Sequence, residues 1–398
     1  MNGLRLVFVT RRYWPLVGGA EMVMANLASE LRERGAAVTI VTAQWHADWP
    51  KEVVHREVPV VRLPNPSQRG WGTLRYMLAL SSWLRKHRDE IDLVYVSMLK
   101  HDAHAAVGAL ASSTIPVVLR AEGGGSAGDC QWQNTARFGA RIKRRCQTAD
   151  AFVAPSEPIE QELRDAGYSP SRVHRIANGV AIPPPRELAA RMSARAALAD
   201  VNSDLRTEAT DPVIVYTGRL HEAKGLDDLL RAWPGVIERF PKVRLWLVGD
   251  GPYRDELFET LLDLEIRASV VLPGSFDDVH DVLLAADLFV LPSHAEGMSV
   301  SLLEAMAATV PVVATDIPGN RALVTHREQG LLVPPHDPAA LRDAIVLALS
   351  HPRRVVDFAA AAREKVIQNF SLERMATEHL TLFERLVAEK ASHGQAAT

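Results

Sequence analysis

The chain has 398 residues, more than one hydrophobic core usually supports, so two domains of somewhat under two hundred residues each are expected, with a cleft between them. Hydrophobic residues at 47% and charged residues at 23% exclude a disordered or fibrous chain, and no apolar run approaches the roughly 20 residues of a membrane-spanning helix. Net charge is only −3, but residues 1–180 carry 23 Lys and Arg against 17 Asp and Glu, whereas residues 181–398 carry 22 against 31, so the halves stand at +6 and −9.

Leu4 to Thr10 reads as a buried strand; it is too short for a signal peptide's apolar region and is followed by Arg11 and Arg12, which suits a cytoplasmic protein. After a loop ending in Gly18-Gly19, a helix is expected from Ala20, because Met24, Leu27, Ala28 and Leu31 share one face, with Gly35 closing it before the strand Val38 to Thr42. Further strands are expected at Val58 to Leu63, Leu93 to Val96, Pro116 to Leu119 and Ala151 to Ala154, with helices such as Leu74 to Lys86 between them. That alternation predicts a parallel, doubly wound sheet. Two basic runs, Arg85 to Arg88 and Arg137 to Arg145, are either solvated helix faces or a docking surface for a membrane or an anionic acceptor; without interleaved stacking aromatics they do not predict nucleic-acid binding. Cys130 and Cys146 belong to no close-spaced metal cluster and read as reduced thiols.

The pattern stops near Asn178-Gly179-Val180. Residues 1–182 are thus expected as the first domain and residues 183–211, opening on Pro183-Pro184-Pro185, as a linker with a polar helical connection. The second domain, 212–371, opens like the first: strand Val213 to Thr217, a loop at Gly218, a helix from about Leu226 and a strand at Val243 to Val248. Strands at Ser269 to Leu272, Leu288 to Leu291, Val310 to Ala314 and Gly330 to Val333 follow, then helices at Pro338 to Leu349 and Arg353 to Asn369. Leu372 to Glu389 is a last amphipathic helix, and the tail from Ala391 is expected to fray.

Two stretches carry candidate chemistry. Arg219 and Lys224 lie on a glycine-bounded loop, GRLHEAKG, directly after a strand; two cations leading into a helix suit a diphosphate, and the structural alternative is a surface pair with Glu222 or Asp227. In His294 to Ala307 (HAEGMSVSLLEAMA), Glu296 falls on a loop and Glu304 in the first turn of a helix. Glu304 could accept both hydroxyls of a ribose, or it could close a capping box with Ser301 as N-cap. Gly18 and Gly19 let backbone approach a ligand. Neither G-x-G-x-x-G nor G-x-x-x-x-G-K-[ST] occurs, which disfavours NAD and the usual triphosphatase site, and no Asp-x-Asp offers a metal a strand-end site.

Taken together, GRLHEAKG, VGDGP, LPGS, EGMSVSLLEAMA and PVVATDIPGN, with the N-terminal PLVGGAE loop, ADAFVAPS and Asn178-Gly179-Val180, resemble the family 4 retaining glycosyltransferases over nearly the whole chain. The resemblance implies the α/β GT-B fold: two facing Rossmann-like doubly wound domains, with a nucleotide-sugar donor held mainly by the second, a saccharide or glycolipid acceptor held mainly by the first, no metal or other cofactor, and a last helix that crosses back to the first domain. By the same resemblance Glu304 holds the ribose, Glu296 approaches the donor sugar, and the amides of Gly297, Met298 and Ser299 face sugar and phosphate. Arg219 and Lys224 match the basic pair on the diphosphate, Gly19 the glycine closing over it, and Phe276 lies where the base is received. The family often has a histidine where Arg120, Ala121 and Glu122 stand, so none is carried over; Arg120, Glu122 and glycines 123 to 125 are expected to shape the acceptor side, while His101 and His104 read as surface or packing residues. A sugar-nucleotide epimerase of the same fold and a non-catalytic sugar-nucleotide sensor are the rival readings.

Overall fold

Short runs of β-branched and apolar residues form strands buried along almost their whole length, as expected where helices cover both faces of a sheet. The computed structural model describes residues 3–16, 18–66, 71–125 and 128–396, with side chains to residue 392. Val17 of the PLVGGAE loop and the last two residues of the tail lie outside these. The chain divides into two units, Met1–Gly179 with Leu372–Thr398, and Val180–Ser371.

In the first unit β1 (Arg5–Val9), β2 (Ala37–Gln44), β3 (Glu52–His55), β4 (Val58–Pro64), β5 (Leu93–Ser97), β6 (Val117–Arg120), β7 (Ala151–Ala154) and β8 (Val173–Arg175) form one sheet in the order β3-β4-β2-β1-β5-β6-β7-β8. Every pairing is parallel except that of β3, an antiparallel edge strand joined to β4 through Arg56 and Glu57, both at positive φ. The chain reverses direction across the sheet between β1 and β5, the switch point at which a doubly wound sheet opens a crevice beyond its carboxyl ends. Around the sheet lie α1 (Gly19–Glu33), α2 (Trp71–Lys86), α3 (His101–Leu110), α4 (Asp129–Thr135), α5 (Gly139–Cys146) and α6 (Glu157–Asp165).

The second unit begins at Val180, just before the stretch expected as a linker, and takes that stretch in. Residues 188–201 form α7 (Leu188–Val201), held to the unit by the buried Arg195, which donates to Asp287 Oδ2 at 2.8 Å, to the Ala285 carbonyl at 3.0 Å and to the Asp211 carbonyl at 3.1 Å. Its sheet comprises β9 (Val213–Thr217), β10 (Arg244–Val248), β11 (Val270–Gly274), β12 (Leu288–Leu291), β13 (Val312–Thr315) and β14 (Leu331–Val333), all parallel, in the order β11-β10-β9-β12-β13-β14. The switch point therefore falls between β9 and β12. The helices are α8 (Leu226–Arg239), α9 (Arg254–Asp263), α10 (His280–Ala285), α11 (Val300–Ala307), α12 (Pro318–Arg321), α13 (Pro338–Ser350) and α14 (Pro352–Asn369).

The last helix, α15 (Leu372–Ala396), belongs to the first unit and runs as helix through most of the tail expected to fray. It docks through an apolar and aromatic face: Phe383 is fully buried with its ring 6.4 Å from Phe8, and His379 meets Tyr95. Arg34, at the end of α1, donates to Thr377 Oγ1 at 2.6 Å and to the Glu373 carbonyl at 3.0 Å.

Candidate active site

The loops that leave β9 and β12 flank the switch point of the second unit, and they carry the two stretches singled out above. Lys224 sits in a short 3-10 turn, Glu222–Lys224, and Glu296 in the loop between β12 and α11. Lys224 Nζ lies 2.6 Å from Glu296 Oε1, and the Ser293 hydroxyl donates to the same oxygen at 2.7 Å. Glu296 is thus no solvated loop carboxylate, its side chain being only 10% exposed, and Lys224 pairs with it in place of Glu222 or Asp227. Two residues 72 apart in sequence become one charged pair because the strand order makes their strands neighbours.

Neighbouring groups fix the pair's two loops. Gly225 ends the 3-10 turn at φ +63, and a Cβ there would come within 2.1 Å of the Pro292 carbonyl, so the two loops touch backbone to backbone. The His294 amide donates to the Ala223 carbonyl at 2.9 Å. A Cβ on Gly319 would lie 2.3 Å from the Glu296 carbonyl, and the buried Thr315 hydroxyl donates to the Ser293 carbonyl, with the Asn320 amide bonded in turn to the Thr315 carbonyl at 2.9 Å. Below Arg219, which is exposed, the buried Tyr216 hydroxyl donates to the Arg219 carbonyl at 3.0 Å; burial and then the Glu296 charge raise its pKa well above the usual phenol range.

Gly297, Met298 and Ser299 are buried at the start of α11. The helix starts earlier than the capping-box reading requires: Ser299 is the N-cap, its hydroxyl accepting from the Leu302 amide at 3.3 Å, and Ser301 is already inside the helix. Glu304 is the fifth helical residue, one past the first turn, so it neither closes a capping box with Ser301 nor draws much on the helix dipole. Phe276 is half-buried in the loop after β11. Gly18 and Gly19 belong to the other unit, where Gly18 occupies the N-cap of α1 without a side-chain cap and Gly19 is its first residue.

Arg120 and Glu122, expected to shape the acceptor side, are paired with each other in the first unit. Arg120 Nε donates to Glu122 Oε1 at 2.8 Å, the Ser97 hydroxyl donates to that oxygen at 2.9 Å, and Arg120 Nη2 bonds Asn178. Arg120 is wholly buried, and burial pushes the Glu122 carboxyl above its ordinary pKa despite the neighbouring guanidinium. The switch point of this unit instead shows Arg11, stacked over Tyr76 at 4.4 Å and 3.7 Å from Asp102, whose burial raises its pKa to about 6. His101 packs edge-on against Trp132, and His104 Nε2 lies 3.2 Å from Arg145 Nη1; burial lowers both imidazoles' pKa, His104 to about 4.

Residues 17–182 match the sequence model described as Glycosyltransferase Family 4, and residues 211–351 match that of Glycosyl transferases group 1, a span that takes in the switch point of the second unit. The chain belongs to the family 4 glycosyltransferases. Sugar transfer is its chemistry, and the epimerase and sensor readings fall away. It is similar to the N-acetyl-alpha-D-glucosaminyl L-malate synthase of Bacillus anthracis, at 22% identity over 93% of this chain and 94% of that protein. The lipopolysaccharide core biosynthesis glycosyltransferase LpsE of Rhizobium meliloti is 33% identical over 45% of this chain and 51% of that one. Among solved structures, Anabaena Alr3699/HepE in complex with UDP and glucose superposes with a TM-score of 0.78 at 21% identity, covering 96% of this chain and 99% of that one. The fold of this glycosyltransferase is accordingly GT-B. Ser293, Tyr216, Thr315 and Asn320 support the site although sequence reasoning did not single them out: Ser293, Tyr216 and Asn320 act through local bonds that carry no motif of their own, and Thr315 acts through a bond to a loop 22 residues away.

Proposed function

We propose that this glycosyltransferase moves a sugar from a nucleotide diphosphate to an acceptor hydroxyl with retention of anomeric configuration and without a catalytic metal. The observation that carries the reading is the 2.6 Å Lys224–Glu296 pair at the switch point of the second unit. Loss of the diphosphate leaves an oxocarbenium-like centre, so charge separation is the step that needs help. Arg219 and Lys224 would stabilise the leaving anion, with Lys224 exchanging its carboxylate partner for phosphate, while the released Glu296 orients the sugar beside the developing positive charge. Glu304 would hold the ribose, Phe276 would border the base, and the amides of Gly297, Met298 and Ser299, with Gly18 and Gly19, would face sugar and phosphate. The leaving phosphate oxygen serves as base for the acceptor, which needs no side-chain base on the acceptor side. Likeness to a protein solved with UDP and glucose supports a nucleotide-sugar donor, and likeness to a lipopolysaccharide core enzyme supports a saccharide or glycolipid acceptor.

Calorimetric titration with a panel of nucleotide sugars tests the site. Wild type should bind at least one of them, and Arg219→Ala and Glu304→Ala should each bind it more weakly; no binding by wild type, or undiminished binding by both variants, rejects the assignment. With the donor known, nuclear magnetic resonance of the product should show the donor's anomeric configuration, and turnover should persist in excess chelator.

A peripheral contact with an anionic membrane is part of the proposal. No helix among the described residues is long and apolar enough to cross a membrane. Helix α2 nevertheless exposes Trp71, Leu74 and Leu78 alongside Arg75, and Arg85, Lys86 and Arg88 follow at its end, a combination that suits insertion at an anionic interface. Sedimentation with phosphatidylglycerol vesicles should exceed that with phosphatidylcholine vesicles and fall with salt; equal partitioning to both counts against it.

A further inference from the structure

Three side chains from three separate segments of the second unit meet next to the Lys224–Glu296 pair and outside the proposed donor contacts. Asp228 is the third residue of α8, His294 belongs to the loop after β12, and His336 to the turn before α13. His294 Nε2 is 2.7 Å from Asp228 Oδ2, and His336 Nδ1 is 4.0 Å from the same oxygen. The two imidazole centroids lie 3.7 Å apart, and the three donor atoms are all within 4.8 Å of one another. Among the described residues no other group of three His, Cys, Asp or Glu side chains gathers its donor atoms this closely.

We propose that Asp228, His294 and His336 bind a divalent transition-metal ion of the zinc class as a structural cross-link. The donor set selects the ion: two imidazoles with one carboxylate suit zinc or its transition-metal neighbours, whereas magnesium and calcium want oxygen ligands. Geometry agrees. A tetrahedral zinc with bonds of about 2.0 to 2.1 Å holds its ligand atoms roughly 3.3 Å apart, so the 2.7 Å contact must open and the 4.0 Å contact close by about 0.7 Å each, with water as the fourth ligand. Coordination through His294 Nε2 uses that nitrogen's lone pair and leaves the ring proton on Nδ1.

The backbone holds the donors in place. A Cβ on Gly225 would come within 2.8 Å of His294 Nε2, so only a glycine there leaves the ring its position. His336 stands at φ +61, where few residues other than glycine settle, and it puts its imidazole against that of His294. An ion bound here ties the start of α8, four residues after Lys224, to the loop two residues before Glu296 and to the turn before α13. It is a strut for the two loops and takes no part in the transfer step.

Without an ion the same atoms make an ordinary His–Asp hydrogen bond beside a stacked imidazole, and the two readings separate cleanly. The full chain, stripped of metal by dialysis against chelator, is titrated with Zn²⁺ by calorimetry and with Co²⁺ by visible absorption. Wild type should bind one equivalent with the absorption of tetrahedral cobalt and a raised thermal midpoint, and Mg²⁺ should do neither. His336→Gly suits the local φ and preserves the fold, and Asp228→Asn keeps the shape of its side chain; each should weaken Zn²⁺ binding at least about tenfold. Absence of a one-equivalent event in wild type, or an unchanged event in folded His336→Gly, overturns the proposal.

Discussion

Ser299 and Ser301 stand two residues apart, and only the first caps α11. Ser299→Ala should therefore lower stability by about 1 kcal/mol in urea unfolding, and Ser301→Ala by less than about 0.5 kcal/mol. Glu304→Ala should leave stability unchanged and weaken donor binding; equal destabilisation by Glu304→Ala and Ser299→Ala would sink that division of labour. Glu296 is the sharper test of chemistry. Glu296→Gln keeps the size of the side chain and a partner for Ser293 but removes the charge that Lys224 balances, so kcat should fall on the order of 10² to 10³ while donor affinity changes far less. At this scale the sequence offered Arg219, Lys224, Glu296 and Glu304 as types and spacings. The partner of Lys224 stayed hidden because it lies 72 residues away, across a strand pairing.

Among elements, the parallel core strands were legible within a residue or two and the edges of the first sheet were not. β3 is short and half exposed, with charged residues in and around it, and its turn runs through Arg56 and Glu57 at positive φ without the glycine or asparagine that normally announces such a turn. Helix α7 read as a linker because its few buried residues are spread among polar ones; the buried Arg195, not an apolar stripe, fastens it. Helix α15 carries a titratable group in its interface. His379 Nδ1–H donates to the Met375 carbonyl at 2.8 Å, and Nε2 accepts from the Tyr95 hydroxyl at 2.8 Å, so the buried ring is held neutral with its pKa lowered to about 3, chiefly by burial. A lowered folded-state pKa contributes stability that is present above the unfolded value near 6.5 and is lost as pH falls toward 3. The unfolding free energy of wild type, from urea titrations, should drop over that window by up to about 1.4 kcal/mol per pH unit from this group, and His379→Gln should flatten the slope. A variant slope as steep as that of wild type would show that His379 does not set it.

For the whole molecule, the side chains proposed to hold the donor share one unit: Arg219, Lys224, Glu296 and Glu304 all belong to Val180–Ser371, and only the glycines Gly18 and Gly19 belong to the other. Residues 180–371 expressed alone should fold and bind the donor sugar nucleotide while catalysing no transfer; loss of donor binding in a folded fragment would mean that the first unit supplies essential donor contacts. Removing Leu372–Thr398 should instead destabilise the first unit, because the rings of Phe8 and Tyr95 lose their cover by Phe383 and His379. By itself the sequence determined the α/β class, the repeat of strand, glycine loop and helix that opens each half, and the residue types of a phosphate-handling site, since these rest on local periodicity and short motifs. Only the tertiary structure decided that Lys224 neutralises Glu296, that Ser299 and not Ser301 starts α11, and that Arg120 and Glu122 are buried against each other. Each of those depends on the strand order or on where a helix begins, which is set by packing between segments far apart in the chain and leaves no trace in local spacing.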